Sequence, residues 1–218
     1  MAGRSLVGRV LDAVAPCVDA LVLVVQPAVE GLFEAELRRL GWGTSVAMVF
    51  QADATGSADA VALGLGAVAG EEPCVVVWAD QVGVSQRTVG RVAEQLREGA
   101  PGVVLPLVEV ENPYVWFEVV GNTVVVRRQR DGDVPPVRGK SDVGTFGLLA
   151  GAGRECIAEE MAGRPPAGRE RDFVYVVPRL AQVHGLRVVE VDDPAEALGV
   201  NSPADLEAAG RALATPAR

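Results

Sequence analysis

Lysine is almost absent from this sequence. The chain has 20 cationic and 29 acidic side chains, Lys140 is its one lysine, and the formal net charge is −9. A chain this acidic carries no electrostatic footprint for nucleic acid or for an anionic membrane surface, so neither is expected as a partner. Histidine is just as scarce, with His184 alone. The three cysteines, Cys17, Cys74 and Cys156, lie far apart and lack metal-ligand spacing. That argues against zinc, and an odd number of scattered thiols points to a reducing compartment, the cytoplasm. No apolar run approaches the ~20 residues of a membrane span. Met1 to Arg9 lacks the apolar segment of a signal peptide. Internal repeats and low-complexity linkers are also missing.

What remains is an ordinary globular composition, 49% hydrophobic and 22% charged over 218 residues, long enough to bury a sizeable core. The apolar run Cys74–Trp78, bounded by Pro73, has the pattern of a strand buried on both faces. It ends in Ala79 and Asp80. In open α/β sheets ligands bind beyond the carboxyl ends of such strands, which makes Asp80 the first candidate for chemistry.

The rest of the chain supports this setting. Helical periodicity over Ser5–Val14, Pro27–Leu40, Gly56–Val68 and Ser85–Leu96 alternates with apolar runs at Ala20–Val25, Ser45–Phe50, Cys74–Trp78 and Val103–Val108. Alternation at this spacing predicts βαβ units and a mainly parallel sheet. The texture changes after residue 110. Tyr114–Val119 and Thr123–Arg127 flank Gly121-Asn122, a hairpin signal. Asp131–Ser141, rich in Gly, Pro and charge, predicts a surface loop. A strand over Val143–Leu149, a helix over Gly153–Met161, a loop over Gly163–Gly168, a helix over Asp172–His184, a strand over Leu186–Val191 and a helix over Pro203–Leu213, capped by Ser202, complete the chain. The expected fold class is α/β: a Rossmann-like, mostly parallel sheet flanked by helices, in one domain over 1–218, with a hairpin and loop insertion at about 111–141.

Residues 51–60, Gln51-Ala-Asp-Ala-Thr-Gly56-Ser57-Ala-Asp-Ala60, resemble the Gln-x-x-x-x-Gly-Thr-x-x-Ala segment of nucleotide-sugar pyrophosphorylases, the sugar-phosphate nucleotidyltransferases. Further segments follow in that family's order. Trp78-Ala79-Asp80 resembles its strand ending in Gly-Asp. Asn112-Pro113-Tyr114-Val115-Trp116-Phe117 stands where it has Tyr-Gly-Arg, Ser141-Asp142-Val143-Gly144 resembles its Asn-Thr-Gly turn, and Gly199-Val200-Asn201 resembles its Gly-Val-Asn. The resemblance implies a nucleotidyl transfer from a nucleoside triphosphate to a sugar phosphate or similar phosphorylated small molecule, with release of pyrophosphate. It implies Mg²⁺ as cofactor, held by Asp80 and Asn201, with Asp80 the catalytic residue. Gln51, Gly56 and Ser57 would face the nucleotide, and Tyr114, Arg128 and Asp142 the acceptor.

The family opens with a strand and Leu-Ala-Ala-Gly-x-Gly-Thr-Arg-Met, followed by Pro-Lys, a loop that cradles the triphosphate. This sequence begins just after the corresponding region, so the fold is expected to be N-terminally truncated. Either an upstream segment or another chain, a partner or a second copy, supplies the loop, or the chain is a degenerate, non-catalytic homologue acting as a binding or partner subunit. Arg128 stands near the position where the family places a sugar-binding glutamate.

Each candidate also has a plainer reading. Asp80 would suit a helix cap or surface turn, Asn201 a turn before Ser202-Pro203, and Gln51 a bond to neighbouring backbone. Arg127, Arg128 and Arg130 would suit a solvated hairpin edge. Tyr114 and Trp116 fit a hairpin core or a substrate platform equally well. Lys140 fits loop surface, and His184 a structural position.

Overall fold

The computed structural model describes residues 4–43, 45–99, 102–162 and 171–212. Ser5 caps α1 (Leu6–Val14), its hydroxyl accepting from the amide of Gly8 at 3.2 Å. β1 (Leu21–Val25) leads through a short 3₁₀ turn into α2 (Glu30–Leu40). That helix closes at Gly41, whose φ of 82° lets Trp42 donate back to Leu37 at 2.8 Å. β2 (Val46–Phe50), α3 (Ser57–Gly66), β3 (Pro73–Val77), α4 (Gln86–Arg97) and β4 (Val103–Glu111) follow. The hairpin is β5 (Val115–Val120) and β6 (Thr123–Arg128), with Val120 opposite Thr123. Its two-residue turn has a positive φ of 59° at Gly121, the primed turn geometry that suits twisted strands. Then come β7 (Arg138–Asp142), β8 (Thr145–Leu149), α5 (Ala150–Ala162), α6 (Val177–His184), β9 (Leu186–Val191) and α7 (Pro203–Ala212).

β4 is the axis of the larger sheet. β9 pairs with it in parallel along Val103–Val108, while β7 and β8 run antiparallel along its opposite edge. β8 also pairs antiparallel with β3. β4 is fully covered from Val103 to Val108. β1 and β2 form a separate parallel pair.

Three expectations need correction. The loop expected over Asp131–Ser141 ends in a strand, β7. Its charged residues are not loop signals but the solvent face of an antiparallel pair: Arg138 meets Glu109 at 3.3 Å and Glu111 at 3.7 Å across the strands. The strand expected from Val143 starts at Thr145, because Gly144, at φ 64°, breaks the line between β7 and β8. The helix expected over Asp172–His184 is a 3₁₀ turn, Phe173–Tyr175, followed by α6, so Pro178 falls in a first helical turn where no amide is needed. The loop expected over Gly163–Gly168 and the last residue of the helix expected to Leu213 lie outside the described residues.

β1 and β3 share an unusual environment. Every β1 residue is aliphatic, and β3 holds Pro73, Cys74 and three valines, yet of the two strands Val25 alone is buried. Among the described residues β1 pairs only with β2, and β3 only with β8. Helices nonetheless cover both faces. Val10, Ala13 and Val14 of α1 pack with Leu21 of β1 and with Val75 and Val77 of β3. On the other face, Val61 and Leu65 of α3 belong to the cluster that takes in Cys74 and Val76, while Gly64 approaches Val24. Two apolar strands of buried-sheet character thus each present an open edge between shared helix layers.

Candidate active site

Beyond Val77 the chain continues through Trp78 and Ala79 to Asp80. Trp78 is anchored below by Phe146 and Phe173, with ring centroids 5.4 and 6.1 Å away, and those two rings meet each other at 5.4 Å. Its amide donates to the carbonyl of Gly144 at 2.9 Å. Only glycine fits at 144, where a Cβ would lie 2.7 Å from Cγ of Gln81. The same glycine donates its amide to Oδ1 of Asp142 at 2.8 Å, which fixes that carboxyl at the end of β7. The strand break that shortens β8 therefore aims Asp142 at the end of β3.

A second segment reaches Asp80 from the C-terminal side. After β9 the chain makes a 3₁₀ turn, Pro194–Ala197, in which Glu196 is buried. The Glu196 carboxylate accepts from the amide and the hydroxyl of Ser85 at 3.0 and 2.9 Å, and its carbonyl accepts from Nε2 of Gln81 at 3.0 Å. Val200 then donates to the carbonyl of Asp80 at 3.1 Å. Asn201 follows immediately.

These elements line an open pocket of about 510 Å³ whose walls include Ser57, Trp78, Asp80, Tyr114, Arg128, Asp142, Asp172 and Asn201. Six of the candidates read from the sequence therefore share one pocket: Ser57, Asp80, Tyr114, Arg128, Asp142 and Asn201. Gln51 and Gly56 are not among its lining residues. Gln51 donates from Nε2 to the carbonyl of Gly56 at 3.1 Å, and Gly56, at φ 138°, packs against the backbone of Arg171. Ser57 is tied into structure as well, its hydroxyl accepting from the amide of Phe173 at 2.9 Å. Trp116 is buried in the hairpin while Tyr114 is 54% exposed at the pocket. Lys140 pairs with Glu190 on the surface at 2.5 Å.

Arg128 is not part of a solvated edge. It is 7% exposed, with its guanidinium on Asp172 at 2.5 Å and 5.6 Å above the centre of the Tyr175 ring. Its charge persists because, although burial opposes it, Asp172 and Tyr175 raise its pKa further. Arg127, by contrast, is exposed and pairs with Asp133 at 3.4 Å. Burial pushes the Asp80 carboxyl above its ordinary pKa, with only its own amide opposing. Burial raises Asp142 too, against the amides of Gly144 and Asp142 itself and the charge of Arg128. Sequence reading missed Asp172 and Glu196. Neither carries a local signal: each works through a partner far away in the chain, Arg128 and Ser85 respectively.

A model of the MobA-like NTP transferase domain matches residues 1–189. The chain belongs to that family. The MobA-like family places it among nucleotidyltransferases. A bifunctional protein GlmU from Solibacter usitatus (strain Ellin6076) is 26% identical over 215 residues, covering 94% of this chain. The chain spans 44% of that relative's length. Two solved structures share the fold. A 4-diphosphocytidyl-2C-methyl-D-erythritol synthase from Anaerococcus prevotii DSM 20548 superposes with a TM-score of 0.70 at 13% identity, covering 99% of this chain and 88% of its own. A protein described as a glucose-1-phosphate thymidylyltransferase from Bacillus anthracis, in complex with a sucrose, gives 0.69 at 15% identity, covering 98% and 83%. Both neighbours share with this MobA-like domain a mixed α/β fold with parallel pairs flanked by helices. Among the described residues no helix is long and apolar enough to cross a membrane.

Proposed function

We propose that this domain is a cytoplasmic enzyme that transfers a nucleotidyl group from a nucleoside triphosphate to a sugar phosphate or similar phosphorylated small molecule. A phosphate oxygen of the acceptor forms a bond to the α-phosphorus, the bond from that phosphorus to the bridging oxygen breaks, and pyrophosphate leaves. The observation that carries this reading is the meeting of Asp80 and Asn201, from opposite halves of the chain, on the wall of one pocket with Arg128 and Asp142.

The donor set suits Mg²⁺. No group of three or more His, Cys, Asp or Glu side chains able to hold a metal ion is found among the described residues. Mg²⁺ seldom needs such a cage: it is commonly held by one or two protein oxygens together with substrate phosphates. Asp80 and the side-chain oxygen of Asn201 would hold it here. When bound, Mg²⁺ offsets phosphate charge and favours an in-line arrangement. The desolvated Asp80 carboxylate gains from a cation what burial costs it. Tyr114 would pack on the acceptor, and Asp142 and Arg128 would orient it by hydrogen bonds. Ser57 flanks the nucleotide side.

The open edges of β1 and β3 support a further part of this reading. A strand entering between them would complete the sheet, and a loop leaving its end would emerge beside Asp80, where the triphosphate needs amides and cations. In this proposal a segment outside the described residues, from the same polypeptide or a partner chain, provides both.

The test is pyrophosphate release with ATP, CTP, GTP, UTP and dTTP against a panel of sugar phosphates. It is run on residues 1–218 and on a version extended upstream in frame. Turnover with one pair of substrates, lost at least ~100-fold in Asp80→Ala, is the expected result. No release by either version with any pair counts against the proposal.

A further inference from the structure

Asp172 lies in none of the sequence motifs, yet it joins two walls of the pocket. Its Oδ1 accepts from the hydroxyl of Ser57 at 3.4 Å, while its Oδ2 accepts from Arg128 at 2.5 Å and from Arg130. The flanking backbone reinforces this clasp: Arg171 accepts from the amide of Ala58 at 2.8 Å, and Phe173 donates to Ser57. Ser57 opens α3, and Arg128 ends the hairpin strand β6. The side chain of Arg128 is 8% exposed and that of Asp172 13%, whereas Arg130, on the same carboxylate, is 34% exposed.

The consequence is electrostatic. A buried guanidinium without a counter-ion would draw an anion strongly. Asp172 offsets the charge of Arg128 only in part, because the same carboxylate oxygen also accepts from Arg130. The Arg128 Nε is buried and has no hydrogen-bond partner. Asp172 thus lowers the positive charge that Arg128 presents to the pocket. Asp142 lines the same pocket.

We propose that Asp172 sets the charge selectivity of the acceptor pocket. By offsetting the charge of Arg128 it makes the pocket favour an acceptor whose body, beyond the reacting phosphate, is uncharged and hydroxylated over one that carries a second anionic group there. Asp172 is a positioning residue acting through Arg128, and this assignment rests on the nucleotidyltransferase reading.

Glucose 1-phosphate and glucuronic acid 1-phosphate differ by a hydroxymethyl against a carboxylate, and their dissociation constants can be measured by calorimetry. Asp172→Asn is expected to shift the ratio of affinities toward the acid by about tenfold, one charge-assisted hydrogen bond. Asp172→Glu should keep the wild-type ratio. The double variant Arg128→Gln/Asp172→Asn, which leaves no buried charge unpaired, should return to within about twofold of it. A ratio unmoved in Asp172→Asn overturns the proposal. A second arm needs no acceptor: sulfate should raise the melting temperature of Asp172→Asn more than that of the wild type, and the double variant should lose the excess. If neither sugar phosphate binds the wild type, the functional reading fails, and the sulfate arm alone then decides the charge role of Asp172. No excess stabilisation by sulfate in Asp172→Asn overturns that role.

Discussion

Val200 donates its backbone amide to the carbonyl of Asp80 at 3.1 Å. The residue that follows Val200 is Asn201, so the two side chains assigned to Mg²⁺ hang from one main-chain bond. Around it the segments 80–85 and 195–200 behave as one unit. Gly83 donates to Leu198 at 3.4 Å, and a Cβ at Gly83 would stand 1.9 Å from the carbonyl oxygen of Ala195. Buried Glu196 closes the unit by taking both donors of Ser85.

That makes Glu196 the residue to remove. Glu196→Ala leaves the amide of Ser85 without its acceptor and the hydroxyl with only Thr88 at 3.3 Å, a cost of about 1–3 kcal/mol. Glu196→Gln keeps one acceptor oxygen and should cost less. Urea unfolding gives the order of stabilities. Equal stability of the wild type and Glu196→Ala would show that this carboxylate does not hold the two segments together. Where the Ala variant remains folded, Mg²⁺-dependent triphosphate binding should weaken with it.

Asp80 should trade stability for function. Burial raises its pKa, so the folded state binds the proton more tightly than the unfolded chain. The ionised form is therefore penalised in the folded state. The penalty is complete above the folded-state pKa and disappears as pH falls below the unfolded value of ~4. Asp80→Asn should melt higher than the wild type at pH 7, and the gap should narrow on acidification toward pH 4. A variant that melts lower at pH 7 would contradict the desolvation account.

The alternating helices and strands of the first half were legible because one period governs each segment. Ser5 and Ser85 sit where capping chemistry puts them: Ser85 accepts from Thr88 at 3.1 Å, as Ser5 does from Gly8. β7 was not legible, because it forms through its ladder with β4 and not from its own composition. At the site, residues carried by motifs were legible one at a time, but their partners were not. Arg128 in Arg127-Arg128-Gln129-Arg130 gives no sign that it alone turns inward. Its burial is decided by Asp172 and Tyr175, far downstream. The open edges of β1 and β3 belong to the tertiary arrangement, whereas the runs themselves have the composition of strands covered on both faces.

Two glycines of the α3 region make opposite predictions. Gly56 combines φ 138° with a virtual Cβ 2.3 Å from the carbonyl oxygen of Arg171. Gly56→Ala must move the backbone that carries Asp172, and a loss of more than ~1 kcal/mol is expected. Gly66, in the last turn of the same helix, has nothing within 4 Å of a virtual Cβ. Gly66→Ala should stabilise by up to ~1 kcal/mol through helix propensity. Thermal melts of the two variants should move to opposite sides of the wild type. A shift in the same direction would refute the contrast.

Val76 and Phe146 are register partners in the β3–β8 ladder, but they sit on unequal ground. Phe146 is completely buried between Trp78 and Phe173. Phe146→Ala should cost about 3–5 kcal/mol. Val76 is only partly buried, on a strand with one edge open. Removing two methyl groups from a fully buried valine would forfeit roughly 1.5 kcal/mol at ~0.8 per carbon, and partial exposure reduces that figure. In residues 1–218 alone, Val76→Ala should therefore cost less than ~1.5 kcal/mol. A strand seated between β1 and β3 would cover Val76, so the same substitution in the upstream-extended protein should cost measurably more. Denaturant titration of both versions, with and without Val76→Ala, isolates this difference as a coupling between the substitution and the extension. A Val76→Ala cost that is the same in the two versions would mean that the extension does not enter the gap.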